Sequence, residues 1–368
     1  MNEYDTVVIG GGMAGASIAA HLADHQTVAI LEAEDNPGYH ATGRSAAFWT
    51  ESYGGPLVQP LTSASGPFLA NPPPNYSAQS FLKKRGALYL GTRAHQVQAD
   101  QMIADFRDSD VPMQVLNSAQ VQQKLPGALP EWDRAIWEPS CADIDVAALH
   151  SAYLRVAKNA GAKLICRTRL ERAVWRDNQW QITTSNGHYT AKTLVNAAGA
   201  WADQTAHDCG IKPIGITAFR RSIVQLSMSQ KAPDDLPLVI GLDGSFYFKP
   251  AASGQIWLSP HDETPTPACD TAPEELDIAM AIERLGQVMD WQVKSVEAKW
   301  AGLRSFAPDR LPVIGRDEGN PNFFWFAGQG GFGIQTAPAA AQLAASLLLD
   351  GLAAPNGINA DIYTPMRF

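Results

Sequence analysis

The sequence runs to 368 residues, 45% of them hydrophobic and 18% charged, with a formal net charge of −9. That length exceeds what one simple core holds, so two closely joined domains are expected, in an ordinary globular chain. The acidic balance argues against nucleic acid or an anionic membrane as the main partner, though a local pair of arginines can still hold an anionic small molecule.

Cys141, Cys166, Cys209 and Cys269 are scattered without C-x-x-C spacing. They predict neither a zinc site nor a disulfide framework, and no metal is expected. The start, Met1-Asn2-Glu3-Tyr4-Asp5, is short and acidic rather than a signal peptide. The longest weakly polar run, Ala337 to Leu349, is too short for a bilayer span and reads as a buried helix. A cytoplasmic protein with no integral membrane segment is therefore expected.

In chain order, Thr6-Val7-Val8-Ile9 is a β-branched run ending in glycines and predicts a buried parallel strand. Ala14 to Ala23 predicts a helix and Thr27 to Leu31 a second strand, together a β-α-β unit. Residues 54–80 are rich in Pro, Gly, Ser and Asn and predict irregular surface chain around a short helix. A strand follows at Ala87–Leu90, then helices at Ala94–Phe106 and Asp145–Ala160, the latter stopped by Gly161. Strands are predicted at 163–166, 170–175 and 179–184, with an Asn186-Gly187 hairpin turn, and again at Thr193–Asn196. Residues 213–260 are β-rich, with aromatic alternation at Ser245-Phe246-Tyr247-Phe248. A helix at Pro273–Met289, a strand at Phe323–Ala327, a glycine-rich turn at Gly328–Gly333 and the Ala-rich helix complete the chain, with no internal repeat.

Gly10-Gly11-Gly12-Met13-Ala14-Gly15 fits G-x-G-x-x-G, follows a strand, opens a helix and has Glu32 at the end of the next strand. In that context the pattern is a dinucleotide fingerprint. Gly10 permits the tight turn, Gly12 admits the pyrophosphate to the backbone and Gly15 allows close helix–strand packing. The helix start offers free N–H groups to phosphate, and Glu32 suits ribose hydroxyls while repelling a 2′-phosphate. Three further segments point to a flavin rather than a nicotinamide dinucleotide. They are the small polar stretch Asn36–Ser45, the strand end Asn196–Trp201 and the glycine nest Gly328–Gln335.

The stretches Pro37–Ala47 (PGYHATGRSAA), Arg220-Arg221-Ser222, Asp243–Pro250 (DGSFYFKP), Trp300–Phe306 (WAGLRSF) and Gln329–Thr336 (QGGFGIQT) carry a resemblance along nearly the whole chain. The sequence resembles the D-amino-acid oxidase and glycine oxidase superfamily of FAD enzymes. Within it, the likeness is greatest to the bacterial D-amino-acid dehydrogenases that include catabolic D-arginine dehydrogenase. The resemblance implies an α/β fold: a Rossmann-like, glutathione-reductase-like FAD domain (1–85, 141–212, 301–368) interleaved with an α+β substrate domain on a mixed, mostly antiparallel sheet (86–140, 213–300). With the fingerprint residues, it assigns Gly10, Gly12, Met13, Ala14, Gly15, Glu32, Ala33, Thr42, Gly43, Arg44, Ser45, Ala46, Ala47 and Phe48 to FAD. Leu170 (through its backbone, near the adenine), Gly199, Gly330, Gly331, Phe332, Gly333, Ile334 and Gln335 complete that set. Covalent relatives attach flavin through a cysteine near the C-terminal nest; none lies beyond Cys269, so non-covalent FAD is expected.

For substrate, Arg304 is an isolated cation in an apolar stretch, and an arginine fork suits a carboxylate. Arg220 and Arg221 are adjacent on a probable strand, so only one can face a pocket; the resemblance chooses Arg221. Tyr53 and Tyr247 would donate to the carboxylate, with Thr50 and Gln335 as lesser orienting groups. The implied reaction is hydride transfer from Cα of a D-amino acid to the flavin, giving an imino acid that hydrolyses to a 2-oxo acid and ammonia. Oxygen or a quinone would take the electrons.

Where the arginine-oxidising relatives carry a histidine near the flavin this chain has Phe48, and where they carry a glutamate it has Ala87. With no obvious partner for a buried cation, neutral or apolar side chains are expected, unless a carboxylate such as Glu51 intervenes. A glycine- or sarcosine-type amine oxidase and an FAD 2-hydroxyacid dehydrogenase remain alternatives. The latter wants a histidine base, and His40, His150, His188, His207 and His261 read as structural or solvated. A non-enzymatic flavin-holding subunit is the third alternative.

Overall fold

The computed structural model describes residues 2–368. Its first layer grows from the predicted unit: strand β1 (Asn2–Ile9), helix α1 (Met13–Leu22) and strand β2 (Val28–Leu31). Five strands run parallel, in the order Lys163–Ile165, β2, β1, Gly187–Asn196, Phe323–Ala327. Val8 packs under α1 and the helices Val146–Asn159 and Ala337–Leu348, whereas Val7 and Ile9 face Trp180, Tyr189 and Trp325 on the other side. Both faces are covered, which is why the strand is a continuous apolar run and not an alternating one. Antiparallel additions complete an eight-stranded sheet: Val313–Arg316 on one edge, and the hairpin Leu170–Arg176/Gln179–Thr184 on the first half of Gly187–Asn196.

The second large sheet is antiparallel except where Leu238–Gly241 pairs with Ala87–Gly91. Its alternation sorts the aromatic run. Phe246 and Phe248 enter the core under helix Glu275–Val288, while Tyr247 joins Phe48, Ala87 and Tyr89 on the face toward the first layer. A small sheet of Phe48–Trp49, Ala142–Ile144 and Leu82–Lys84 bridges the two. Every strand of the eight-stranded sheet comes from 1–85, 141–212 or 301–368. The ten-stranded sheet comes from 86–140 and 213–300, plus 301–306 and Gln329–Gly330. On that distribution we propose the two-domain division expected above.

Two features differ from expectation. The 14-residue strand Val293–Phe306 carries no alternation in its exposed first half, and the sequence gives no sign of it there. It is held in place by antiparallel pairing with Thr217–Met228 through two register shifts. In 54–80 the expected short helix is 12 residues long, Gln59–Ala70, and its small side chains pack against Ala337–Leu348 instead of lying on the surface. Among the described residues no helix is long and apolar enough to cross a membrane, and no His/Cys/Asp/Glu cluster has the arrangement to hold a metal.

Candidate active site

An elongated cleft runs from Glu32, Ala33 and Leu170 at one end to Arg221, Tyr247 and Arg304 at the other. The fingerprint forms its narrow floor. Gly10 has φ +101, and a Cβ there would stand 2.6 Å from the Ala197 carbonyl oxygen. At Gly15 a Cβ would fall 1.9 Å from the Gly10 carbonyl oxygen, so that glycine locks helix onto strand and does not line the cleft. Glu32 Oε2 accepts from Gly11 N–H at 2.8 Å and its Oε1 from Glu34 N–H at 2.9 Å, which fixes the carboxylate at the cleft wall. Met13 N–H donates to Thr42 Oγ1 at 2.9 Å. His150 lies behind this floor, 2.9 Å from the Gly11 carbonyl oxygen, and burial lowers its pKa toward a neutral imidazole.

Gly10, Gly12, Met13, Ala14, Ala33, Thr42, Ser45, Ala46, Gly199, Gly330, Gly331, Gly333 and Ile334 also line the cleft. Arg44 lines it with a tethered head, donating to the Thr271 and Ala301 carbonyls at 3.0 and 3.1 Å and pairing with Asp270. Gly43, Ala47, Phe48, Phe332 and Gln335 stand behind the lining. Gly43 packs against the Gly38 carbonyl, and Phe332 packs with Phe306 and Val58. Both amide atoms of Gln329, which lines the cleft beside the glycine nest, are buried without a partner. A ring edge bearing donors and acceptors, such as that of a flavin, satisfies such an amide.

At the far end Arg304 Nη1 donates to Tyr53 Oη at 2.7 Å. Burial opposes the Arg304 charge, but Tyr53 and Tyr247 together hold its pKa above the ordinary value. Arg221 is buried; its Nε donates to the Asp262 carbonyl at 2.8 Å and its Nη2 to Glu263 Oε1 at 3.1 Å. Its Nη1 is buried with no partner. Burial first, and then the Arg304 charge, lower the pKa of Arg221. Two guanidinium groups that repel each other, one with an unused donor, form a site that a carboxylate stabilises. Arg220 points the other way, to Glu274 at 2.9 Å and Asp277 at 2.8 Å.

The remaining predicted residues form the backing of this end. Phe48 stands edge-on to Tyr53 at 5.2 Å and to Tyr247 at 6.0 Å. Gln335 is committed to structure: its Oε1 accepts from Thr50 N–H at 3.2 Å, and its Nε2 donates to the Tyr53 carbonyl and to Thr62 Oγ1, each at 3.0 Å. Thr50 Oγ1 donates to Cys141 Sγ at 3.0 Å. Both hold the turn that carries Tyr53.

The expectation that no acid lies beside Ala87 is corrected by Glu138, its direct cross-strand partner. Glu138 is fully buried and accepts from Glu51 N–H at 2.7 Å, Ser52 Oγ at 2.5 Å and Ser140 Oγ at 3.3 Å. Burial pushes its pKa up to about 7. Glu51 turns away to Ser63 at 2.6 Å. His261, expected to be structural or solvated, is packed behind this end with its Nε2 3.4 Å from Tyr53 Oη. The sequence alone does not single out Gln329, Glu138 or Glu263, and it offers His261 only as structural or solvated. The first lay within a recognised stretch; the others are placed only by cross-strand pairing and loop closure.

A dinucleotide-binding layer, a mixed sheet laid over it and a paired-arginine pocket between them define a flavin-dependent oxidoreductase. The chain belongs to the FAD dependent oxidoreductase family, whose pattern it matches over residues 5–347, and its cofactor is FAD. It is 28% identical to the glycine oxidase of Pseudomonas aeruginosa over 64% of each chain. To the monomeric sarcosine oxidase of a Bacillus species it is 26% identical, over 54% of this chain and 52% of that one. Human dimethylglycine dehydrogenase is 24% identical over 95% of this chain but 43% of its own length, so the chain spans only about half of such relatives. Among solved structures, L-proline dehydrogenase from P. horikoshii superposes with a TM-score of 0.86 at 24% identity, covering 100% of this chain and 98% of that one. Glycine oxidase from Geobacillus kaustophilus gives 0.85 at 21% identity, with 100% of both chains covered.

Proposed function

We propose that the protein oxidises the Cα–N bond of a small D-amino acid with a neutral or apolar side chain. The observation that carries this reading is the unpartnered, buried Arg221 Nη1 beside Arg304, in the same cleft as the glycine fingerprint. Arg221 and Arg304 would hold the substrate carboxylate, with Tyr247 over it and Phe48 closing the apolar side. Gly330–Ile334 and Gln329 would hold the flavin ring edge, and Glu32 the adenosine ribose. FAD, held non-covalently, supplies a two-electron acceptor for the α-hydrogen and its bonding pair. The chain's own contribution is position and electrostatics: the carboxylate is fixed, so the neighbouring C–H has one orientation. The imino acid leaves and hydrolyses to a 2-oxo acid and ammonia, and oxygen or a quinone reoxidises the enzyme.

The D configuration rests on the likeness of the Pro37–Ala47, Asp243–Pro250 and Gln329–Thr336 stretches to D-amino-acid dehydrogenases. The side-chain preference rests on the wall at Ala87. Glu138 is the acid nearest that wall along the strands, but its oxygens are engaged by Glu51 N–H, Ser52 and Ser140. With burial also raising its pKa to about 7, it offers a buried guanidinium or ammonium only a poor partner. Anaerobic mixing of the purified yellow protein with D-Leu, D-Met, D-Phe, D-Arg and their L-forms tests both points. Bleaching by the apolar D-forms is expected; a clear D-Arg preference rejects the side-chain assignment, and bleaching only by L-forms or N-methyl amines rejects the D-amino-acid assignment.

A further inference from the structure

The hydride can leave Cα only when the nitrogen lone pair is free, so the substrate's ammonium must first lose a proton. His261 is held in a constrained place with its Nε2 facing the Tyr53 hydroxyl. Its backbone adopts a left-handed conformation, φ 56, which costs a residue bearing a β-carbon. The strain is held from outside: Arg284, on the helix Glu275–Val288, donates to the Ser245 carbonyl at 2.6 Å and the Pro260 carbonyl at 2.9 Å.

The ring's orientation settles its protons. His261 Nδ1 is hydrogen-bonded to the Gly244 carbonyl. A carbonyl only accepts, so Nδ1 carries the hydrogen. Burial, together with the charges of Arg221 and Arg304, holds the imidazole neutral, with a pKa of about 3. Nε2 is therefore bare, and the group facing it at 3.4 Å, Tyr53 Oη, is its donor. The contact is long, as catalytic hydrogen bonds often are before substrate arrives. On its other side Tyr53 Oη already accepts from Arg304. Its hydrogen is thus directed away from the carboxylate site, and one lone pair remains for a substrate N–H.

We propose that Tyr53 and His261 form a proton path from the substrate amine. The Tyr53 oxygen takes a proton from the ammonium nitrogen as its own hydrogen passes to His261 Nε2. One N–H bond of the ammonium breaks, one O–H bond on Tyr53 is exchanged for another, and one N–H bond forms on the imidazole. No electrons are transferred; the amine is left neutral and the histidine cationic. The charged and titratable groups around the pair are Arg221, Arg304, Tyr247 and Glu263. Burial opposes ionisation of Tyr53, but Arg304 and Arg221 outweigh it and lower its pKa, which suits a transient phenolate. A substrate carboxylate lying on those two arginines offsets their charge and removes much of what opposes an imidazolium at His261. This reassigns Tyr53 from donor toward the carboxylate to acceptor from the amine.

The inference rests on the amine-oxidising reading, and two measurements separate them. In the FAD-loaded wild-type enzyme, nitrogen-15 spectra of the histidines are expected to show His261 neutral and Nδ1-protonated through the neutral pH range, with its Nε2 signal altered in Tyr53→Phe. An Nε2-protonated or cationic His261 overturns the pairing. In anaerobic flavin reduction by D-Met, His261→Gln is expected to move the acid limb of the pH profile upward by about one unit, close to a tenfold loss on that side, with the deficit narrowing toward alkaline pH. A uniform loss with the limb unmoved, or no change, overturns the proton path. If no amino acid bleaches the wild-type enzyme, the substrate reading fails instead, and the spectra still decide the pairing.

Discussion

The two ends of the cleft are built on different principles. The end proposed for the nucleotide is made mostly of backbone: Gly10, Gly12 and the start of α1 lie within a few residues of one another, and on that reading they leave space and present N–H groups. The end proposed for substrate is made of side chains from separated segments, with Arg221, Tyr247 and Arg304 lining the cleft and Tyr53 bonded to Arg304, and on that reading it works through charge and orientation. Damage at the first end should therefore be steric and all-or-none; damage at the second should be electrostatic, graded and pH-dependent.

The largest effect should come from Gly15→Val. A Cβ 1.9 Å from the Gly10 carbonyl oxygen cannot be accommodated without separating helix from strand. Loss of bound flavin and of soluble folded protein is expected, read by absorbance and circular dichroism; a yellow, folded variant would break the steric account of this end. Next is Arg304→Ala, which should retain flavin but lose about 10²–10³ in kcat/KM, the range for removing one partner of a buried charged contact. Loss of flavin together with activity would mean that the two ends are not separable.

Glu138→Gln should show the pH dependence of the substrate end. The buried carboxyl has its pKa raised from 4.5 to about 7, so the folded state binds more protons than the unfolded one between those values. Stability of the wild type therefore falls as pH rises through that window and is level above it. Relative to Glu138→Gln, the wild type should lose about 3 kcal/mol across the window, seen as crossing or converging urea midpoints. Parallel curves would place Glu138 in a more polar setting than its burial indicates. The smallest effect is expected for Gln329→Ala, roughly tenfold weaker FAD binding, or about 1.4 kcal/mol, for lost hydrogen bonds to the ring edge. Unchanged affinity by flavin-fluorescence titration would remove Gln329 from the flavin contacts.

The same contrast explains what could be read from the chain alone. The β-α-β unit, Glu32 and the glycine nest are local patterns with a local physical cause, and they lie where the sequence suggests. The strand Val293–Phe306 has no alternation over its exposed half, because only the pairing with Thr217–Met228 makes it a strand. Glu138 came to lie beside Ala87 through register between Ala87–Gly91 and Arg134–Glu138, and no spacing in sequence encodes register between distant strands. His261 reads in sequence as structural or solvated; in the fold its neighbours Asp262 and Glu263 turn toward arginines and leave the imidazole facing Tyr53, a placement that no local pattern encodes.

Gly331 has one further consequence. A methyl group at that position would sit 2.8 Å from Arg304 Nη1, so the guanidinium rests directly on the peptide of the glycine nest. On the proposed function, the anchor for one guest touches the cradle of the other with nothing in between, and this bare contact would act as a spacer gauge for the gap that the hydrogen must cross. Widening it by a single carbon would leave both guests bound yet mis-set, so that the step between them slows while each affinity is nearly preserved.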